Sequence, residues 1–595
     1  MPQFNPPLRD QQFVLHELLG VEQVFKELPA HAEVGRDLID QVLEEGGKFA
    51  SEVVFPLNRD ADEEGCHYEG DGVVRTPKGF KQAYEKYVEA GWPTLTCTPE
   101  FGGQGMPQVV GMSMLENLNS ASQAWAMYPG LSHGAYECLL EHGNDEQKAP
   151  YLPKLVSGEW TGTMCLTEPH CGTDLGMLRS KAEPQDDGSY KISGTKIFIS
   201  SGEHDMAANI IHLVLARLPD APEGTKGISL FLVPKFIPDA DGNPGERNGI
   251  KCARLEEKMG IHANSTCVMD LDGATGLLVG DANRGLNAMF VMMNAARIGV
   301  GLQSLGLMEV AYQNAVVYAR ERLQMRSLSG AKAPDKPADP IIVHPDVRKM
   351  LLTQRAWIEG SRAFAMWLAL QSDIAGNHPD EDERKTAEGH LTLLTPVVKA
   401  FLTDNGFEST NMAMQIYGGH GYVREWGMEQ YVRDARINMI YEGTNGIQAL
   451  DLIGRKVLQD GGQKLKAFGA LVRELIEEEG TNEAMAEFIN PLADLAGKVE
   501  KFSMEIGMKA MQNPDEAGAA SVDFLRVIGH LVLGYFWARM AKVALAKVDS
   551  GDSFYKVKLA VARFYFTKMM PETAYRMRAA RAGAGPLMDL EAELF

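Results

Sequence analysis

A chain of 595 residues is too long for one hydrophobic core, so roughly two to four domains are expected. With 45% hydrophobic and 23% charged residues it has the make-up of an ordinary globular protein. A net charge of −22 and a pI near 5.2 argue against a nucleic-acid or anionic-membrane surface as the main partner, because those surfaces select basic stripes. An anionic ligand must therefore be held by local Arg, Lys or backbone N–H groups. Seven Cys residues without a CxxC pair point away from a disulfide framework and towards a reducing compartment. The opening MPQFNPPLRDQQ has no charged segment leading into an apolar one, so no signal peptide is visible and a cytoplasmic location is expected.

In chain order, residues 1–34 form an extension whose QQFVLHELLGVEQVF reads as one short amphipathic helix. Residues 35–160 carry helical periodicity, interrupted by the Gly/Pro-rich loop AGWPTLTCTPEFGGQGMP. From 161 to 285 the pattern changes to short β-rich runs bounded by Gly, Pro, Asp and Asn, among them SYKISGTKIFISSG, NIIHLVLARL and GISLFLVP. Several antiparallel strands in so short a segment predict a barrel or sandwich. Helical periodicity returns over 286–460, with helices expected near 289–326, 345–372, 391–417 and 424–456 and a polar loop at 327–340. Residues 461–595 form a further helical domain. Its apolar run VIGHLVLGYFWARMAKVAL is interrupted by His530, Arg539 and Lys542, and reads as a buried helix rather than a membrane span. The fold class is thus mainly α with a middle β domain: a helical N-terminal domain, the β barrel or sandwich, a C-terminal four-helix bundle and an appended helical domain.

Four segments carry candidate chemistry. TMCLTEPHCGTDLG, residues 163–176, is an irregular Pro/Gly loop leading into the β domain. It is either a surface loop or a holder for a flat heterocycle or phosphate. In GTKIFISSG, Phe198 precedes Ser200 by two residues, so it is either core or a stacking surface beside a hydroxyl. In QIYGGHGYVREWGMEQYVRDARI, Gly418, Gly419 and Gly421 permit backbone to approach a pyrophosphate, although no strand precedes them, which argues against a dinucleotide-binding βαβ unit. A fourth stretch, INMIYEGTNGIQALDLIGRK, places Glu442 between an apolar run and a Gly-rich turn. That is either a helix end or a carboxylate aimed into a dry pocket as a general base.

Together CLTEPHCGTDLG, GTKIFISSG, ARERLQMRSL, the glycine-cluster segment and IYEGTNGIQ resemble the acyl-CoA dehydrogenase family of flavoproteins in order and spacing, over residues 35–460. The added C-terminal domain resembles the long bacterial branch that acts on 3-methylmercaptopropionyl-CoA or fatty acyl-CoA. The resemblance implies FAD, an acyl-CoA substrate, an electron-transfer flavoprotein as acceptor, a homodimer or higher oligomer and a role in β-oxidation. It implies α-proton abstraction by Glu442 and β-hydride transfer to flavin N5, yielding the trans-2-enoyl-CoA. A ribityl hydroxyl and the backbone N–H of the base would polarise the thioester carbonyl. A minority of the family takes its base from the position before an Arg that corresponds to Arg297. Here that residue is Ala296, which leaves Glu442.

The same resemblance assigns Met164, Leu166, Thr167, Phe198 and Ser200 to the flavin, with Phe198 and Ser200 standing where Trp and Thr are usual. Arg322, Gln415 and Gly419 would meet the FAD of a neighbouring subunit. Met325 and Arg326 replace the Phe-Gly pair usual after Arg322. Thr444 and Gly446 match cofactor contacts after the base. Thr173, Asn294, Arg297 and Gly443 match the substrate side. His170 and Cys171 replace small residues and are expected to pack. No metal site is expected. An acyl-CoA oxidase is the nearest alternative. A nucleic-acid-binding flavoprotein is the alternative from another class, with only the short basic RMRAARAGAG in its favour.

Overall fold

The computed structural model describes residues 2–595. Internal contacts divide the chain into two units. A sheet unit holds Lys48–Pro107 and Asn117–Gly299; a helical unit holds the chain up to Gly47, Gln108–Glu116 and Val300–Phe595. The helices Gln108–His142 and Gly285–Glu321 contribute residues to both.

In the sheet unit seven strands form one sheet, in the order Trp160–Cys165, Asn209–Ala216, Ser229–Pro234, Thr266–Val279, Tyr190–Ser200 and Lys181–Pro184, with Ile250–Leu255 also paired to Thr266–Val279. The antiparallel expectation fails at one place. Trp160–Cys165 runs parallel to Asn209–Ala216, which the long connection between them permits. Thr266–Val279 bends the sheet on itself. Leu277, Leu278 and Val279 pair with Ser229–Pro234, while earlier residues pair with Tyr190–Ser200 across two register shifts. Strand Asn209–Ala216 is buried along its whole length because both faces are covered. Ile211, Leu213 and Leu215 pack with Tyr151, Leu152 and Met289, whereas Val214 and Ala216 pack with Ile192, Phe231 and Met269.

In the helical unit the N-terminal extension is not one helix. Leu8–Gln12 widens into Phe13–Leu19, stops at Gly20 with φ 60°, and restarts as Val21–Phe25. The bundle helices are Gly285–Glu321, Pro345–Asn377, Glu381–Ile416 and Met428–Asn438. The helix expected over 424–456 is broken after Asn438, where Glu442 and Gly443 adopt positive φ of 58° and 83°, and resumes as Asn445–Leu450. The appended helices surround Asp515–Lys547, which packs on Ala486–Gln512, Ser553–Phe564 and Glu572–Arg581 and also on Glu381–Ile416. Its approach to the last is close: a Cβ on Gly529 would stand 2.2 Å from the Phe401 ring. Gly285–Glu321 and Asp515–Lys547 are both long and apolar enough to cross a membrane, but the apolar stretch of the second lies mostly inside its own unit, as expected for a buried helix.

A charge cluster lies in the core of the helical unit. The buried Arg362 guanidinium donates to Glu116 Oε1 at 2.6 Å, to Glu309 Oε2 at 2.5 Å and to Asp10. The buried Lys558 ammonium meets Asp10 and, at 2.8 Å, Glu359 Oε2. The cluster thus joins the N-terminal extension, the bundle and the appended helices. Burial pushes the Asp10 carboxyl up, but Lys558 and Arg362 outweigh it and hold the group at about 2.

Candidate active site

In the sheet unit the loop after Trp160–Cys165 is fixed by a buried ion pair that the sequence reading did not single out. Lys196, fully buried, donates to Leu166 O at 3.1 Å and to Glu168 Oε1 at 2.8 Å. The Glu168 carboxylate also accepts from Arg179 N, Ser180 N and Ser180 Oγ, at 2.7, 3.0 and 2.6 Å. Desolvation pushes Glu168 up, yet the Lys196 charge and these donors bring it below the ordinary carboxylate range. Thr167 O accepts from Ile197 N at 2.8 Å, so Met164, Leu166 and Thr167, all half-buried, run beside Tyr190–Ser200.

Phe198 is not core. Ile197 and Phe198 face a single residue, Val268, across a register shift between the pairs Lys196–Met269 and Ile199–Cys267. Phe198 occupies this bulge with φ 58° and is 60% exposed. A large apolar ring in a left-handed backbone conformation, turned out of a sheet, is costly unless it has a partner surface. Ser200 ends the same strand, half-buried. Thr173 is exposed in the loop. His170 Nε2 lies 3.0 Å from Met177 O, and Cys171 is buried. Asn294 and Arg297 meet on helix Gly285–Glu321, where Arg297 Nη1 donates to Asn294 Oδ1 at 3.2 Å.

In the helical unit Arg322 is exposed at the start of a loop organised by Asp339. That fully buried carboxylate accepts from Ser327 N, Ala333 N and Lys332 N at 2.9, 2.7 and 2.9 Å, and these donors hold it at about 2. Gln415, Gly418 and Gly419 are exposed and flank Tyr417, which stacks on Tyr318 with ring centres 4.1 Å apart; His420 stacks on Trp426 at 4.2 Å. Gly418, at φ 58° and ψ −136°, has a conformation open to glycine, and a Cβ on Gly418 or Gly419 would meet nothing within 4 Å.

Glu442 stands half-buried at the break between Met428–Asn438 and Asn445–Leu450. Its carbonyl accepts from Gln448 Nε2 at 3.0 Å. The next carbonyl, of Gly443, accepts from Lys399 Nζ at 2.8 Å. Of the two residues matched to cofactor contacts after the base, Thr444 is exposed and Gly446 lies in the first turn of Asn445–Leu450. The residues present fit FAD. An outward ring beside a fixed loop suits a flat heterocycle, and open glycine backbone with an exposed Arg suits a pyrophosphate.

Four family models match in succession: the N-terminal domain of acyl-CoA dehydrogenase over residues 39–159, its middle domain over 163–274, its C-terminal domain over 283–458, and an acetyl-CoA dehydrogenase C-terminal-like domain over 468–591. The chain belongs to the acyl-CoA dehydrogenase family, an FAD-binding family of oxidoreductases that dehydrogenate acyl-CoA thioesters. It is 43% identical over 572 residues to the 3-methylmercaptopropionyl-CoA dehydrogenase of Ruegeria pomeroyi, covering 96% of each chain. It is 34% identical to the broad-specificity linear acyl-CoA dehydrogenase FadE5 of Mycobacterium tuberculosis, over the full length of both. Among solved structures, an FAD-complexed acyl-CoA dehydrogenase from Bacillus anthracis shares the fold with a TM-score of 0.75 at 20% identity, over 93% of this chain and 90% of the other.

Proposed function

We propose that Glu442 is the base that removes the α-proton of the acyl-CoA and that the preferred acyl group is short, with 3-methylmercaptopropionyl-CoA ahead of longer fatty acyl chains. The observation that carries the first part is the conformation of the Glu442 turn. A non-glycine residue at φ 58° is strained, and here side chains from two helices hold the carbonyls of Glu442 and Gly443. Such strain is retained where a side chain must be aimed. A half-buried carboxylate on this turn acts as a general base when its oxygen lies within hydrogen-bond reach of the α-carbon proton. The second part is supported by the identity to the Ruegeria pomeroyi enzyme.

Bound FAD supplies the acceptor for the β-hydride. Phe198 would hold the flavin through its exposed ring, together with Met164, Leu166, Thr167 and Ser200. Arg322, Gln415 and Gly419 bind the cofactor of a second subunit; Thr444 and Gly446 contact the cofactor after the base. Thr173, Asn294, Arg297 and Gly443 serve the substrate. These roles make the protein a homodimer or higher oligomer, and an FAD-loaded, active monomer in light scattering would remove that part of the proposal. The domain boundaries proposed are 1–34, 35–160, 161–285, 286–460 and 461–595. Electron-transfer flavoprotein is the proposed acceptor and β-oxidation the proposed setting. The seven free thiols support a reducing, cytoplasmic location.

The test is kcat/KM across acyl-CoAs of increasing length and the thioether substrate, with electron-transfer flavoprotein and with oxygen as acceptors. The proposal predicts highest values for 3-methylmercaptopropionyl-CoA and short linear chains, and negligible oxygen uptake. Turnover sustained by oxygen alone would make the protein an oxidase. A monotonic rise with chain length would overturn the substrate assignment.

A further inference from the structure

We infer that Lys399 is a positioning residue for the reaction: its buried ammonium, oriented by the Asn445 side chain, holds the Gly443 carbonyl and so aims the Glu442 carboxylate. This inference rests on the reading of Glu442 as the base.

Lys399 is fully buried in the middle of Glu381–Ile416, among Pro396, Val397, Val398, Ala400, Phe401 and Leu402, all themselves buried. A lysine in so apolar a stretch is strongly unfavourable unless its ammonium is satisfied. Its Nζ donates to Gly443 O and to Asn445 Oδ1, each at 2.8 Å. Asn445 in turn donates through Nδ2 to Asp404 Oδ1 at 2.6 Å and to Ala400 O at 3.3 Å. Lys399, Ala400 and Asp404 lie on neighbouring turns of one helix. That helix therefore reads out, atom by atom, the path of the chain through residues 443–445.

The clamp acts where the backbone needs it. Glu442 and Gly443 both have positive φ in this turn, and the carbonyl of each is held by a side-chain donor, Gln448 for the first and Lys399 for the second. A lysine that served only as counter-ion to Asp404 would not need to be aimed at Gly443 O. With the donor removed, the Gly443 peptide can rotate, and a displacement of about 1 Å at a reacting group costs on the order of a hundredfold in rate.

The clamping helix is itself braced by the appended domain. Arg526 of Asp515–Lys547 donates to Asn405 Oδ1 at 2.7 Å, next to Asp404, and is held by Glu572 at 2.8 Å. Gly529, one turn away, leaves room for Phe401. The added helices thereby press on the segment of the bundle that grips the base turn.

The test compares Lys399→Met, the double variant Lys399→Met/Asp404→Asn and Glu442→Gln in the FAD-loaded full chain, using 3-methylmercaptopropionyl-CoA and butyryl-CoA. The double variant removes the half-buried Asp404 carboxylate together with the buried Lys399 ammonium, so the charge balance of this part of the helix is kept where the single variant takes away only the cation. Flavin reduction per bound FAD is expected to slow about tenfold to a hundredfold in both Lys399 variants, with KM within about threefold of the parent. The kinetic isotope effect with α-deuterated substrate should be at least as large as in the parent, because proton removal becomes more limiting. A double variant that reduces its flavin at the parental rate, or one that does not fold, would overturn the inference and leave Lys399 a structural residue. If Glu442→Gln itself reacts at the parental rate, the base assignment fails instead, and the two failures are distinguished in one experiment.

Discussion

Glu442→Gln should give a yellow protein that binds acyl-CoA and reduces its flavin about 10²–10⁴-fold more slowly than the parent, the loss typical of a missing general base. The substitution isolates the base function because Gln has nearly the same shape and the same backbone preferences as Glu. The strained turn at φ 58° therefore costs no more in the variant. Its clamps act on main-chain carbonyls, through Lys399 Nζ on Gly443 and Gln448 Nε2 on Glu442, and are untouched. FAD retention is expected because Phe198, Thr167 and the Gly418–Gly419 backbone do not depend on this carboxylate. Stopped-flow absorbance of the flavin under anaerobic conditions reads the rate directly. Adding Ala296→Glu to the Glu442→Gln variant tests the alternative base position, with partial recovery as the expected sign that a carboxylate there can also reach the α-carbon. An unimpaired Glu442→Gln variant would return Glu442 to the role of a helix-end residue.

Arg362→Met should destabilise the protein by about 3–5 kcal/mol, the cost of removing one partner from a buried ionic group. Arg362 is the cation that Asp10, Glu116 and Glu309 share, and each of these carboxylates is buried. Methionine replaces the aliphatic stem but takes the guanidinium away from Glu116 and Glu309, while Asp10 keeps Lys558. The pH dependence follows from linkage. In the parent, Asp10 is held at about 2 against an ordinary value of 3.8, so its contribution is fully present above 3.8 and is lost as pH falls through about 2. Burial already pushes Glu116 above the ordinary carboxylate range in the parent, and losing the guanidinium pushes it further up, so its protonated form is favoured in the folded variant. Stability of the variant should fall as pH rises and its deficit should shrink below pH about 4. Urea midpoints at several pH values measure this. A deficit under about 1 kcal/mol at neutral pH would mean that the cluster is energetically neutral.

Much of the architecture was legible in the chain because helical and strand periods are strong local signals. The change near Trp160, the return of helix after the β domain and the burial of 515–547 all come from periodicity. The misses have identifiable physical causes. Gly20 stops a continuous apolar pattern through its left-handed φ, which periodicity does not register. The parallel pairing of Trp160–Cys165 depends on a crossover far along the chain. The helix expected over 424–456 followed the spacing of Ile437, Ile440 and Ile447 through the Gly-rich turn; the positive φ of Glu442 itself is what composition does not show.

The candidate site was legible where a motif carried it and opaque where buried charge did the supporting work. Phe198 was visible as an aromatic residue in a strand, but its outward direction comes from a bulge. Lys196, Glu168, Lys399 and Asp404 gave little warning. The available signal was a lone Lys in each of the apolar runs GTKIFIS and TPVVKAFLT. Such a lysine is expensive to bury alone, so each one implies a partner brought from elsewhere in the fold. The partners are Leu166 and Glu168 for Lys196, and Gly443 and Asn445 for Lys399.

The central claim, that this chain removes hydrogen across the α,β-bond of an acyl-CoA at its own bound flavin, is tested most directly by anaerobic titration of the FAD-loaded protein with 3-methylmercaptopropionyl-CoA and with butyryl-CoA. Flavin absorbance and acid-quenched products are followed together. The account predicts that the oxidised flavin band disappears and that one enoyl-CoA forms for each flavin reduced, in the parent but at a strongly reduced rate in Glu442→Gln. A fully FAD-loaded parent that binds these thioesters yet keeps its flavin oxidised, with no enoyl-CoA formed from either substrate or from longer acyl-CoAs, would contradict it.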